Sequence, residues 1–162
     1  PWVCTSDTCV SVATADWPEG LANKWETEDG SVLLLRHATM SKDGAPVLRA
    51  GTAIARPANG SHWMAHVSSF DGEMALAEEH LSLKDGSPRR FHRILLLEEQ
   101  LLLAPLRMDA LDGYTDETEL RFVETESGQA LDYTDIRAMA KIMEQLLEDD
   151  SAWGQEVIYD RD

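Results

Sequence analysis

Apolar and polar residues alternate along much of the chain, and the alternating segments are separated by turn dipeptides. The dipeptides are Asp29-Gly30, Asp43-Gly44, Asn59-Gly60, Asp71-Gly72, Asp85-Gly86 and Asp112-Gly113. The first five recur at intervals of 12 to 16 residues. Asp-Gly and Asn-Gly favour the positive backbone φ of tight hairpin turns, so this series predicts a run of antiparallel strands joined in sequence order.

The segments between the turns have the composition of strands. Residues 31–40, 45–57, 61–70 and 89–97 are rich in apolar residues or alternate apolar with polar residues, as half-buried strands do. The segment 72–86 contains good helix formers such as Met74 and Leu76, but its length matches that of its neighbours. We predict a strand there, with a short helix as the alternative, and place the last strand at 118–126.

Residues 94–106 read ILLLEEQLLLAPL, and this stretch could form a buried helix or two strands. A helix would be apolar on nearly every side and would contain Pro105 in its last turn, where proline is unfavourable. Two strands joined at residues 98–100 keep the charges in water and continue the spacing of the other turns. We therefore predict a hairpin whose second strand runs from Leu101 to about Met108, with Pro105 at an edge or a bulge.

After Ser127-Gly128 the hydrophobic period changes from that of a strand to that of a helix. Apolar residues then follow helical spacing at Ile136, Met139, Ala140, Met143, Leu146 and Leu147. The spacing predicts an amphipathic helix over 133–148, with Asp132 or Thr134 as its N-cap and its apolar stripe on one face or one open end of the sheet. The acidic tail at 149–162 is polar apart from four residues that predict a final strand or a docked extension, namely Trp153, Val157, Ile158 and Tyr159.

Seven or eight antiparallel strands over 31–126, followed by one helix, predict a single α+β domain that is mainly antiparallel β. The strands form a meander that curls into a barrel or a strongly curved sheet. This arrangement resembles the lipocalin-like architecture, a meander barrel with a C-terminal helix packed outside. The resemblance concerns the order of the elements only, because Trp25 precedes a strand without the glycine of the lipocalin Gly-x-Trp motif. In the N-terminal segment, 1–28, Trp17 could plug one end of a barrel.

The charge of the chain restricts its partners. The 162 residues carry a net charge of −16, and residues 109–162 contain 16 acidic and 4 basic residues, a difference of −12. Such a field repels nucleic acid and anionic lipid and attracts basic surfaces. No apolar run approaches the ~20 residues of a membrane-spanning helix, so we predict no membrane span.

An acidic face for a basic protein partner is one use of this charge, and solubility alone is the other. The predicted partner-binding residues are Asp109, Asp112, Asp116, Glu117 and Glu119.

The two cysteines of the chain, Cys4 and Cys9, are spaced so that they could close a short disulfide loop in an oxidising compartment. A reduced pair in a cytosolic protein is the alternative. The chain begins at Pro1 and not at Met, and we expect either a removed leader or a trimmed sequence. Together these features predict an exported protein, secreted or periplasmic, with a processed lipoprotein as one form of export.

A cluster of basic residues, SPRRFHR at 87–93, stands out in the acidic chain. Alternation on a strand places Arg90 and His92 on one face, where they could clamp an anion or neutralise acidic residues across strands. A second hypothesis is therefore a carrier of a small apolar or amphipathic ligand inside the barrel. The predicted ligand-binding residues are Arg90, His92, Leu95, Leu97 and Leu102.

The sequence contains no motif that predicts a catalytic centre, a cofactor or a metal. His62 and His66 lie four apart in HWMAH, but Trp63 stands where the zinc-hydrolase motif has Glu, which favours a structural histidine pair. No Gly-x-Ser-x-Gly elbow is present. We predict a non-catalytic binding protein of the inhibitor, immunity-protein or chaperone type; a hydrolase that uses His62, His66 or Glu73 is a third hypothesis.

Overall fold

The computed structural model is a closed barrel of eight antiparallel strands with a two-stranded hairpin and helical segments packed outside it. It describes residues 9–10, 12, 15–38, 47–81, 88–114, 120–126 and 128–161. The predicted barrel with a C-terminal helix is confirmed. In the described part of the chain, no helix has the length and hydropathy needed to cross a membrane.

The strands follow the chain in an order that is almost a meander. They are β1 (Lys24–Glu26), β2 (Val32–Ala38), β3 (Val47–Arg56), β4 (Trp63–Ser69), β5 (Met74–His80), β6 (Arg89–Leu97), β7 (Gln100–Pro105), β8 (Arg121–Thr125), β9 (Gly128–Asp132) and β10 (Val157–Arg161). Around the barrel the order is β1-β2-β3-β4-β5-β6-β7-β10, and β10 pairs back to β1. The meander from β2 to β7 is therefore as the turn spacing predicts.

Both ambiguous segments are strands. Residues 74–80 form β5 and not a short helix, and residues 94–106 form the predicted hairpin. Its turn consists of Glu98 and Glu99, and Glu98 adopts a φ of 39°, the left-handed conformation that usually requires glycine. The second strand ends at Pro105 and not near Met108, because residues 108–114 form a 3₁₀ helix.

The barrel is closed by the C-terminal strand and not by the meander alone. β10 lies between β1 and β7, with Tyr159 opposite Leu101 and Asp160 opposite Glu26. The predicted tail at 149–162 is therefore part of the barrel wall, and the predicted N-terminal segment at 1–28 contains strand β1. The tail also begins with a 3₁₀ turn, Asp150–Ala152.

Alternation along the strands divides the side chains into an inner and an outer core. The inner core contains large residues such as Trp25, Leu33 and Leu101 and a set of small ones, which are Ala53, Ala55, Ala65, Ala75 and Ala77. Trp17 packs in this core, and its role as a plug at one end of the barrel stays a prediction. Gly51 lies against it: a Cβ added there would lie 2.7 Å from the Trp17 ring and 2.0 Å from the carbonyl oxygen of Arg36.

The outer core lies between the barrel wall and the helix α1 (Ile136–Leu147). Met139, Met143 and Leu147 of α1 are fully buried and pack in one cluster with Leu76 of β5 and Phe91 of β6. The helix lies within the predicted range 133–148, but its N-cap is Asp135, whose side chain accepts a hydrogen bond from the Ala138 backbone N–H at 3.0 Å. The predicted N-caps Asp132 and Thr134 are wrong.

Residues 118–126 do not hold the last strand. Strand β8 pairs with β9, and this hairpin touches the barrel through the pair Leu131 and Arg89. Ser127 lies outside the described residues, and Gly128 begins strand β9 and not the approach to the helix. Gly128, with a φ of 111°, supplies the backbone conformation that this hairpin requires.

Tyr159 tests the role of β10 in closing the barrel. Its side chain is 6% exposed in the inner core, whereas that of the neighbouring Ile158 is 52% exposed on the outside. We expect Tyr159→Ala to lower the free energy of unfolding by about 3 kcal/mol, since a large buried side chain is removed. Urea denaturation followed by circular dichroism measures it. The matched change Ile158→Ala should stay within about 0.5 kcal/mol of the parent; equal losses would contradict the assigned orientation of the strand.

Candidate functional site

One end of the barrel opens into a cleft of about 790 Å³. Its walls carry inward-facing apolar side chains from β4, β7 and β10, among them Trp63, Leu103, Pro105 and Tyr159. Its edge is formed by the β1–β2 turn at 27–31.

Two aromatic rings form one wall of the cleft. The indole of Trp63 on β4 stacks on the imidazole of His92 on β6, with the ring centroids 4.7 Å apart and an angle of 7° between the planes. His92 Nε2 lies 2.9 Å from Glu79 Oε1 on β5, the strand between them. The carboxylate therefore fixes the orientation of the imidazole, and the imidazole presents a flat support to the indole.

Arg90 does not line the cleft. It lies 3.8 Å from the buried carboxylate of Glu79 and donates hydrogen bonds to the Gln129 carbonyl at 2.9 Å and the Thr125 hydroxyl at 3.1 Å. Its guanidinium thus ties the barrel to the β8–β9 hairpin. The anion clamp that alternation suggested for Arg90 and His92 is replaced by two separate contacts, each with the same carboxylate of Glu79.

The rim of the cleft is acidic. Among the described residues that line the cleft, four carry carboxylates and none is Lys or Arg; the four are Glu28, Asp29, Glu156 and Asp160. Hydrogen bonds from Thr27 and Ser31 lower the pKa of Asp29 below its usual value, the Thr27 hydroxyl contributing most. These hydrogen bonds favour the ionised form of Asp29, and the four carboxylates give the rim a negative charge that attracts cations.

The predicted ligand-binding residues separate into two groups. His92 lines the cleft, and its role in ligand binding stays a prediction. Leu95 and Leu102 face outward and line a separate depression on the barrel wall, and Leu97 is 46% exposed next to the 98–99 turn. Alternation predicted that Leu95 and Leu97 share a face, but could not show which face pointed inward.

Sequence reasoning missed most of the cleft. The sequence identifies Trp63 only as the residue that breaks a metal motif, and Tyr159 only as part of a final strand or docked extension. In the structure both residues line the cleft. The alternation of HWMAH already places Trp63 and Ala65 on one face of β4. Pairing that face with β10, more than 90 residues away in sequence, required the closed barrel.

Two of the predicted partner-binding residues are described. Asp109 and Asp112 lie exposed on the 3₁₀ helix at 108–114, and Asp109 accepts a hydrogen bond from Arg107 at 2.7 Å. Asp116, Glu117 and Glu119 lie outside the described residues. Partner binding at this segment stays a prediction.

A second group of titratable residues is buried on the outer side of β5 and β6. Glu78, 0% exposed, accepts hydrogen bonds from Arg89 at 2.5 Å, from the Val10 backbone N–H at 2.6 Å and from the Tyr133 hydroxyl. Burial raises the pKa of Glu78 and the pKa of Tyr133, and the Arg89 guanidinium opposes both shifts. The carboxylate of Glu78 thus holds Val10 of the N-terminal segment against the barrel wall through the Val10 backbone N–H.

Cys9 and His80 adjoin this ion pair. Cys9 Sγ lies 3.3 Å from His80 Nε2, and with Glu78 they form a group of potential metal ligands whose atoms lie within 4.8 Å of one another. Within this group, the charge of Glu78 is balanced by Arg89. The predicted disulfide stays a prediction, because Cys4 lies outside the described residues.

His62 and His66 do not converge. His62 is exposed before β4, whereas His66 is 9% exposed on the outer face of that strand, opposite Glu78 on β5. Burial lowers the pKa of His66 to about 4. His66 is thus a buried neutral imidazole in the part of the barrel wall that the N-terminal segment covers. In the same part of the wall, the Val12 backbone N–H donates to the Ser68 hydroxyl at 3.0 Å.

Comparisons of the chain with protein-family models, with curated proteins and with solved structures found no match. The site is therefore interpreted from its geometry alone.

His66 provides a test of the buried wall through acid sensitivity. The folded pKa is about 4 against 6.5 for a free imidazole, so between these values the unfolded chain binds a proton that the folded chain does not. The free energy of unfolding should therefore fall as the pH decreases, by about 2 kcal/mol at this residue between pH 7 and pH 5. We expect His66→Gln to remove that part of the slope in urea denaturation at both pH values.

His62→Gln is the matched control for this measurement, because His62 is exposed. It should leave the acid sensitivity of the parent protein unchanged. If His66→Gln and the parent lose the same stability between pH 7 and pH 5, His66 is not buried as a neutral imidazole.

Proposed function

We propose that this protein is a non-catalytic binding protein that holds a small amphipathic ligand with a positive charge in the mouth of its barrel. The observation that carries the proposal is the cleft of about 790 Å³, with an aromatic wall and an acidic rim. Sites for small ligands typically have volumes of roughly 300–1,000 Å³ and combine apolar walls with a few placed polar groups.

The lining of the cleft favours a cation over an anion. Trp63, Leu103 and Tyr159 offer apolar and aromatic surface to the body of a ligand, and the faces of aromatic rings attract cations. Glu28 and Asp160 on the rim would stand near a positively charged group and repel a carboxylate or phosphate. Arg90, which the anion-clamp hypothesis assigned to a polar head, is already engaged with Glu79, Gln129 and Thr125.

Binding without catalysis is supported by how the polar groups of the cleft are used. The hydroxyls of Thr27 and Ser31 both donate to Asp29 and hold the β1–β2 turn, and neither donates to a described histidine, the usual base of a serine nucleophile. His92 contacts Glu79 and stacks on Trp63. Export of the protein to an oxidising compartment stays part of the proposal, since it rests on Cys4 and Cys9.

Decyltrimethylammonium, decanoate and decyl maltoside are suitable probes, because they share one apolar chain and differ in the charge of the head. Isothermal titration calorimetry below the micellar concentrations should show the cation binding with at least about tenfold higher affinity than decanoate, the effect of several rim carboxylates. The uncharged maltoside should fall between them. Equal affinity for all three probes would show an apolar surface without selectivity for charge. If none of them produced heat of binding, the proposal of a ligand site in the cleft would be wrong.

Trp63→Leu tests whether the aromatic wall binds the cation. The change keeps an apolar side chain on β4 but removes the ring face, and we expect the affinity for decyltrimethylammonium to fall about tenfold. Leu97→Ala, outside the barrel, is the control and should bind as the parent does. Unchanged binding by Trp63→Leu would show that the ligand binds elsewhere.

Glu28→Gln should lower the affinity for decyltrimethylammonium by up to about fivefold, as the loss of an exposed ion pair would. Glu124→Gln on β8 should leave this affinity unchanged.

A further inference from the structure

In the described part of the chain, the large apolar side chains that remain exposed lie close together. They are Leu97 at 46%, Val157 at 44% and Ile158 at 52%. Val157 faces the cleft, but Leu97 and Ile158 face outward from β6 and β10. Single exposed apolar residues are ordinary on a protein surface, whereas a contiguous group indicates an interaction site.

The strand register places the outward residues in two rows. Leu95, Leu102 and Ile158 are direct neighbours across β6, β7 and β10, and Leu97 begins the next row, followed by Gln100 and Asp160. We call Leu95, Leu97, Leu102 and Ile158 the outer apolar patch. Its side chains point away from the barrel interior, and one of them, Ile158, also borders the cleft.

Acidic residues surround the outer apolar patch. Next to Leu97, a depression of about 610 Å³ is lined by four carboxylates and by no described Lys or Arg; the four are Glu73, Glu98, Glu99 and Asp160. Next to Leu95 and Leu102, a smaller depression of about 300 Å³ contains Glu156 and Asp150. The one cation there, Arg93, is already bound to Asp150 at 2.9 Å and to the Leu147 carbonyl at 3.1 Å.

The backbone conformation of the turn between β6 and β7 also indicates that these carboxylates have a function. Glu98 holds a φ of 39°, a conformation in which glycine would cost less. The chain thus places two adjacent carboxylates, Glu98 and Glu99, at the tip of a two-residue turn beside Leu97. Backbone conformations of this kind concentrate at sites of function.

We propose that the outer apolar patch docks a basic segment of a protein partner. Apolar side chains of the partner pack on Leu97, Leu102 and Ile158. Arg or Lys side chains of the partner lie among Glu73, Glu98 and Glu99. Charge complementarity identifies the occupant, because the described lining next to Leu97 carries four carboxylates without a cation and the whole chain carries −16. An apolar centre with a charged rim is the usual anatomy of a protein interface. This proposal does not depend on ligand binding in the cleft.

Two synthetic twelve-residue peptides serve as probes: one alternates Arg with Leu, and the other alternates Arg with Ser. Fluorescence anisotropy at 150 mM salt should show the Arg-Leu peptide binding at least about tenfold more tightly, because only it has an apolar face for the patch. Affinity of the Arg-Leu peptide should fall as salt rises. Equal binding of the two peptides would overturn the proposal, since charge alone would then explain it.

Charge reversal on the rim distinguishes this surface from the general acidity of the protein. Glu73→Lys, Glu98→Lys and Glu99→Lys together should weaken binding of the Arg-Leu peptide at least about tenfold. The matched control reverses three exposed acidic residues elsewhere, Glu124, Glu126 and Glu148, and changes the net charge by the same amount. Equal weakening by both triple variants would show that binding follows net charge and has no site at the patch.

Leu97→Ser tests the apolar contribution, and Leu97→Met is its conservative partner. The first should lose at least about fivefold in affinity for the Arg-Leu peptide and nothing for the Arg-Ser peptide, and the second should bind as the parent does. Because Leu97 is 46% exposed, both variants should unfold at the parent urea concentration. Binding of decyltrimethylammonium should be unchanged, which separates failure of this proposal from failure of the cleft.

The patch could instead be occupied by a second copy of the chain. Sedimentation equilibrium of the parent and of Leu97→Ser decides this. A monomer in both is the expected result, and a dimer that Leu97→Ser dissociates would overturn the docking of a basic partner.

Discussion

The barrel depends on the pairing of one short C-terminal strand with two others. β10 lies between β1 and β7, and without it both of those strands would leave unpaired backbone N–H and C=O groups at open edges. β1 contains three residues and pairs with β2 and β10 on its two sides. Its position is therefore fixed by the neighbours rather than by its own length. Closure makes a defined interior from a sheet that would otherwise present two edges to solvent.

The shape of that interior follows from an uneven distribution of side-chain volume. Trp17, Leu21 and Trp25 are large members of the inner core, and alanines on β3, β4 and β5 occupy much of its wall. A close-packed interior tolerates few voids larger than a water molecule, and the opening of about 790 Å³ is far larger than such a void. Glu79 holds His92 against Trp63 there, and a polar contact in the wall thus sets the aromatic surface.

Local patterns in the sequence were sufficient to predict the meander of strands but not the strand pairing that closes the barrel. The turn dipeptides and the charges at 98–100 predicted β2 to β7, because hairpins between neighbouring strands need only short-range signals. β1 and β10 lie at opposite ends of the chain and each has five residues or fewer, which is too short for a clear period. The cleft depends on that long-range pairing, so Tyr159 and Trp63 could not be placed together. His92 could be predicted because alternation within β6 is local, although its partner Glu79 could not.

Strand β10 also connects the two proposed sites. Its inward residues, Val157 and Tyr159, line the cleft, and its outward residue Ile158 belongs to the outer apolar patch and also borders the cleft. Side chains on a strand alternate between its faces, so a shift of β10 by one residue would exchange Ile158 with its neighbours and remove both surfaces together. Tyr159 resists such a shift because it is buried in the inner core opposite Leu101. The register that closes the barrel is therefore the same register that presents an apolar wall to a small ligand on one face and an apolar patch with acidic borders on the other.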